Sequence, residues 1–187
     1  MKKATTLAGV LTVIGAAGLS LAAVQAPPDQ GPQRGAEGAA TLNKQDTDFF
    51  QSAAQGNLLE VKLGELAAKQ AASEDVRKFG QRMVDDHGKL NRELSQIAQQ
   101  KKGVTMPQQL DKKHQNEVNK LAQHSGAKFD HEYMSRISDE HQKEIKAYEK
   151  QVKDAKDPDL KQYASNALPS LQEHLALAKD VKSRIKK

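Results

Sequence analysis

The sequence predicts an all-α protein, a four-helix bundle of two long antiparallel hairpins joined by a short crossover helix. Three observations lead there. Beyond residue 42, apolar residues recur at the three- and four-residue spacing of a helix rather than the alternation of a strand. Long stretches are built from Ala, Leu, Lys, Gln and Glu, and aromatics make up only 4% of the chain. Ser73, Gly103 and Asp157-Pro158 divide this pattern into long helices of about 28 residues, roughly 42 Å each.

The N-terminal residues MKKATTLAGVLTVIGAAGLSLAAVQA have the layout of an export signal. Lys2 and Lys3 precede an uncharged, mostly apolar run that reaches Ala23. Cleavage after Ala26 fits the small-residue rule, although Pro27 follows; cleavage after Ala22 is the alternative. If it is not removed, residues 1–26 form an N-terminal anchor, since the run is nearly long enough to span a bilayer. Either outcome places the domain in the periplasm or otherwise outside the cytoplasm. Residues 27–43, opening PPDQGPQRGAEG, have no apolar period and read as a flexible linker.

The bundle domain is expected over 44–185. Its first helix runs from about Asp46 to Ala72, with Phe49, Ala53, Gly56, Glu60, Leu63 and Ala67 along one stripe. Gly56 and Gly64 cost helix propensity but let a neighbour approach closely near Glu60. Ser73 is the expected N-cap of the second helix, with Glu74 and Asp75 favouring its positive end. That helix continues to about Lys102 and stops at Gly103. A shorter crossover helix follows Pro107, carries Leu110, Val118 and Leu121, and ends near Gly126. The third long helix starts near Phe129 and carries Met134, Ile137, Ile145, Tyr148 and Val152. In Asp157-Pro158-Asp159, Asp caps, Pro takes the first helical position and Asp suits the dipole. The fourth helix carries Leu160, Ala164, Ala167, Leu171, Ala178, Val181 and Ile185, and Pro169 should kink it or loosen one hydrogen bond.

Composition excludes several functions. With no Cys there are no disulfides, thiolate ligands or lipidated cysteine, so metal chemistry would fall to His and carboxylates. The formal charge of +5 drops to +3 without Lys2 and Lys3, and much of the remainder sits in the tail KDVKSRIKK. Basic residues at a helix C-terminus answer its dipole, and no aromatics interleave with them, so nucleic acid is not an expected partner.

Each long helix interrupts its apolar stripe once near its middle. His87 falls between Met83 and Leu90, His141 between Ile137 and Ile145, and His174 between Leu171 and Ala178; Glu60 makes the break in the first helix. Glu60 lies 13 residues before Ser73 and His87 lies 14 after it; His141 lies 16 before Asp157 and His174 lies 17 after it. At 1.5 Å per residue these pairs sit roughly 20 and 25 Å from their turns, so all four reach mid-bundle. Three imidazoles and a carboxylate inside apolar walls are costly unless paired. One divalent transition ion, Zn, Cu, Ni or Fe, would satisfy them; so would a polar core network that fixes helix register. Asp86, Glu140 and Glu173 each precede one of these histidines, and Glu144 follows His141 by three. These acids could orient imidazoles of other helices or simply form a solvated flank. His114 is a weaker candidate, and exposure is expected for His124 and His131.

The segments AAQGNLLEVKLGELAAKQAASEDVRKFGQRMVDDHGKLNREL, FDHEYM, DEHQKEI, DPDLKQYA and LPSLQEHLALA resemble an exported bacterial family catalogued as domain of unknown function 4142, across about residues 44–182. The resemblance implies a ferritin-like bundle and export, but no activity. Di-iron bundles of that wider class need Glu-x-x-His on two helices. Here Val84 and Leu171 stand three before His87 and His174, and Ser138 three before His141. Ferroxidase chemistry is therefore not expected, and no other catalytic arrangement appears. The expectation is a non-catalytic exported protein binding a transition metal, active in envelope metal handling or stress tolerance. Its rival is an envelope interaction module with a polar core and a protein partner, touching membrane only through an uncleaved N-terminal segment.

Overall fold

The computed structural model describes residues 40–185, so the expected signal segment and nearly all of the linker lie outside the described residues. Helices α1 (Lys44–Gln70) and α2 (Glu74–Gln99) form one hairpin, α3 (Lys112–Leu121) crosses over, and α4 (Gly126–Asp154) and α5 (Pro158–Arg184) form the second. Among the described residues there is no strand, only an isolated bridge between Ala71 and Gly126. None of the described helices is long and apolar enough to cross a membrane.

Boundaries shift where loop chemistry intervenes. The second helix ends at Gln99 rather than Lys102, and Gly103 takes a φ of 75° in the following loop. The crossover helix stops at Leu121, and Gly126 opens α4 instead of closing α3. Its φ of 61° redirects the chain, a conformation that costs glycine little. Helix α5 runs unbroken through Pro169.

The Asp157 cap follows the sequence prediction, the Ser73 cap does not, and α1 has a cap at Asn43 ahead of its predicted start. Asn43 Oδ1 accepts from Asp46 N–H at 3.0 Å, and Asp157 Oδ1 accepts from Asp159 and Leu160 at 3.1 and 3.0 Å. Ser73 occupies the N-cap position of α2, yet its side chain makes no capping bond. Different donors of this turn are met from the other hairpin: Asp130 takes the N–H of Ala72 at 3.0 Å and of Ser73 at 2.7 Å. Asp46 does the same for the opposite turn, accepting from Lys156 and Asp157 at 3.2 and 2.9 Å.

These two aspartates expose an internal register. Asp46 and Asp130, the helix ends Gln70 and Asp154, and the cap positions Ser73 and Asp157 are all separated by 84 residues. Each hairpin is thus the positional equivalent of the other, and the two turns lie at opposite ends of the bundle.

Within the first hairpin the backbones of α1 and α2 meet at Gly64 and Gly80. A Cβ on Gly64 would stand 2.5 Å from the Gly80 carbonyl oxygen, which is why neither position holds a larger residue. The crossover is strapped to α1 by Gln55, which bonds the Gln109 carbonyl at 3.2 Å and the Asp111 N–H at 3.0 Å. The apolar interior forms two clusters. One contains Leu63, Phe79, Met83, Tyr133 and Ile137; the other contains Phe50, Leu94, Tyr148, Leu160 and Leu171. The buried polar residues Asn57, Glu60, His87, His141 and His174 belong to neither and form a polar layer in the middle of the bundle.

Candidate metal centre

His87, His141 and His174 arrive from α2, α4 and α5 and are all 0% exposed. Their ring centroids are 5.2–5.5 Å apart, and one nitrogen of each lies within 4.8 Å of the other two. His141 Nε2 is 3.2 Å from His174 Nδ1 and 3.4 Å from His87 Nε2. Two nitrogens bound to one tetrahedral ion at 2.0–2.1 Å stand about 3.3–3.4 Å apart, so the spacing suits such an ion.

The outward-facing nitrogens decide which way the lone pairs point. His141 Nδ1 lies 3.1 Å from the Ile137 carbonyl, which can only accept, so that nitrogen carries the proton. His174 Nε2 lies 2.8 Å from Asp86 Oδ2, again an acceptor. His87 Nδ1 faces Asn57 Oδ1 at 3.0 Å, while Asn57 Nδ2 donates to the Tyr163 hydroxyl at 3.0 Å and Tyr163 meets Tyr148 at 3.2 Å. Each imidazole therefore donates outward and turns a bare nitrogen inward. This is the arrangement by which neighbouring acceptors orient metal-binding histidines.

Electrostatics keep these nitrogens available. Burial, together with the adjacent imidazoles, lowers His87 well below the ordinary histidine range and takes His141 down to about 3. Burial also lowers His174, against the opposing pull of its bond to Asp86. Partial burial pushes the Asp86 carboxyl up, but its bonds from His174 and Arg82 outweigh this and hold it below the usual range. Arg82 reaches Asp86 at 3.2 Å and Glu173 at 2.8 Å, forming an ion-paired rim around that side of the site.

The predicted residues thus separate into three groups. The three histidines converge. Glu60 lies on the opposite side of the His141 ring, with Oε1 3.6 Å from Nδ1, and clusters with Glu144 rather than with the inward nitrogens. The polar partner facing His87 across its hairpin is Asn57, one turn before Glu60. Among the flanking acids, Asp86 bonds an imidazole of another helix; Glu140 pairs with Arg136 and Lys143, and Glu173 with Arg82. His114 lines a cleft beside Glu60 and Glu144. His124 and His131 are half-buried rather than exposed, because the 122–125 turn packs against Gln70 and α4 begins earlier than expected.

Sequence reasoning misses Asn57, Tyr148 and Tyr163. The available signal was the 84-residue offset, which makes Asn57 the equivalent of His141 and Glu60 the equivalent of Glu144.

The family model described as "Domain of unknown function (DUF4142)" matches residues 31–181. No curated protein matches the chain. A crystal structure of a DUF305 fragment from Deinococcus radiodurans is similar in fold, with a TM-score of 0.67 at 13% identity, over 77% of this chain and 99% of that one.

Proposed function

The chain belongs to the DUF4142 family, and from that premise we propose that it is an exported helical-bundle protein that binds one divalent transition ion through His87, His141 and His174. The observation that supports this reading is the set of three inward nitrogen lone pairs, each fixed by an acceptor on the far side of its ring. Left bare, three desolvated lone pairs oppose one another, while the outward nitrogen of each ring already has its acceptor. A cation converts that repulsion into three bonds. Nitrogen donors of this kind suit Zn, Cu(II), Ni or Fe(II) better than Ca or Mg. The basic start and apolar run of residues 1–26 support export, which would place the bound ion outside the cytoplasm in envelope metal handling. On this reading the bundle acts as a holder of metal.

The test is metal analysis of the full chain purified without an affinity tag, followed by titration with Zn, Cu(II), Ni and Fe(II). We expect one equivalent of bound ion, lost in the His87→Ala, His174→Ala double variant while its helical circular dichroism persists. Folded wild-type protein that stays metal-free up to about 100 μM, a weak affinity on any scale, would overturn the reading and leave a polar core network in its place.

A further inference from the structure

The same layer contains a second cluster that the three histidines do not use. Glu60 on α1 and Glu144 on α4 are equivalents in the two hairpins, and they meet in the middle of the bundle. One oxygen of each lies within 4.8 Å of the other and of His141 Nδ1. Glu60 is 1% exposed, and neither of its carboxyl oxygens has a hydrogen-bond partner among the described residues. Glu144 Oε2 is likewise buried without one. A buried polar side chain with no partner at all is rare in folded proteins and calls for a reason.

The backbone makes room for this pair. A Cβ on Gly56 would stand 2.7 Å from Glu144 Oε1, so the carboxyl of Glu144 occupies the space that a side chain on α1 would otherwise fill. Both carboxyls face a cleft of about 280 Å³ between α1, α3 and α4, walled by Ser52, His114, Glu140 and Tyr148. At roughly 30 Å³ per molecule, several waters fit there. Lys113 also lines the cleft; Lys143 pairs with Glu140 at 2.9 Å, and Arg136 pairs with Glu117 and Glu140 while its charge also acts to lower Glu60. Burial, then mutual repulsion with Glu140, raises Glu144 to about 8; burial and then Glu144 raise Glu60. Among the described residues, no Lys or Arg forms an ion pair with either carboxyl.

We propose that Glu60 and Glu144 form a second cation site, separate from the imidazole site, that takes a hard divalent ion of the Mn²⁺ or Mg²⁺ type. Oxygen donors select such ions, which bind through one or two carboxylates and retain several waters. The cleft accommodates those waters. His141 does not ligate there, since its Nδ1 proton goes to Ile137; it stands between the two sites and keeps them chemically distinct.

The probe is Mn²⁺, followed by electron paramagnetic resonance on the full chain in mildly alkaline buffer, with and without prior Zn²⁺ loading. We expect one equivalent of Mn²⁺ bound in both cases. Affinity falls at least about tenfold in Glu60→Gln and in Glu144→Gln, with Zn²⁺ uptake retained. Gly56→Ala, which removes no ligand but displaces the Glu144 carboxyl, weakens Mn²⁺ in the same direction. Folded wild-type protein that retains no Mn²⁺, or Mn²⁺ binding that all three variants leave unchanged, overturns this site. Absence of Zn²⁺ binding overturns only the three-histidine reading, so the two failures are separable.

Discussion

Asp46 and Asp130 each close the turn of the hairpin to which they do not belong. Asp46, at the start of α1, takes two N–H groups from the α4–α5 turn and a side-chain bond from Gln151 at 2.6 Å. Asp130, near the start of α4, takes two N–H groups from the α1–α2 turn. Both carboxylates are buried, at 0% and 3% exposure. Backbone donors just ahead of α2 and α5 are thus satisfied across the bundle, so hairpin geometry and hairpin docking depend on the same two side chains.

Asp130→Ala should therefore destabilise the protein by about 1–3 kcal/mol, because it removes a buried carboxylate that holds two turn N–H groups. Asp46→Ala should cost a similar amount. The two sites stand at opposite ends of the bundle and share no partner, so the double variant should show close to the sum. Urea unfolding at unchanged slope measures this. A loss below about 0.5 kcal/mol would show that the turns hold without the staples.

The glycines of the first hairpin should respond in opposite directions. Gly80→Ala places a Cβ 2.7 Å from the Ala67 Cβ and 2.9 Å from the Gly64 carbonyl oxygen, and backbone cannot yield as a flexible side chain can. It should destabilise by about 1–3 kcal/mol. Gly88→Ala meets only Arg92 Nη1, at 3.6 Å, and should stabilise α2 by about 0.5–1 kcal/mol through helix propensity. Thermal unfolding of the two variants against wild type checks both signs.

The helices and the histidine register were legible because both rest on periodicity. A stripe broken at His87, His141 and His174, at matched distances from Ser73 and Asp157, places three rings at one level whatever the topology. Distance from a turn gives level but not azimuth, and this is why Glu60 was grouped with the rings when it lies behind His141. Asn57 was invisible to the same count, since an amide on an apolar stripe reads as a single polar interruption until its equivalence to His141 is noticed. The bond from the Ser73 N–H to Asp130 could not be read locally, because donor and acceptor are 57 residues apart.

Asp86→Asn tests how the His174 ring is held. The carboxylate accepts the Nε2 proton and thereby leaves Nδ1 bare toward the site. An amide can present its NH₂ instead, favouring the other tautomer and placing a proton where the proposed ion would bind. Affinity for Zn²⁺ should drop about 10- to 100-fold with the stoichiometry kept, as read by competition with a chromogenic chelator. Unchanged affinity would exclude an orienting role for Asp86.

The buried acids and bases predict a stability maximum at mildly acidic pH for metal-free protein. Folded His141 is lowered to about 3 by burial, against an ordinary 6.5, and His87 and His174 are lowered too. Below pH 6.5 the unfolded chain binds protons that the native rings refuse, so stability falls as pH falls. The carboxyls act with the opposite sign. Folded Glu144 is raised to about 8 by burial, against an ordinary 4.5, and Glu60 is raised with it. Between pH 4.5 and 8 the native state holds protons that the unfolded chain has released, so stability falls as pH rises. Between about pH 4.5 and 6.5 the two trends oppose one another, and stability declines on either side. Melting temperatures across pH 3–9 should show this maximum. Glu144→Gln should flatten the alkaline decline while leaving the acid one, which belongs to the histidines. Wild-type stability that rises from pH 6.5 to 8 would mean that the Glu60–Glu144 pair is ionised in the folded protein, contrary to the burial that surrounds it.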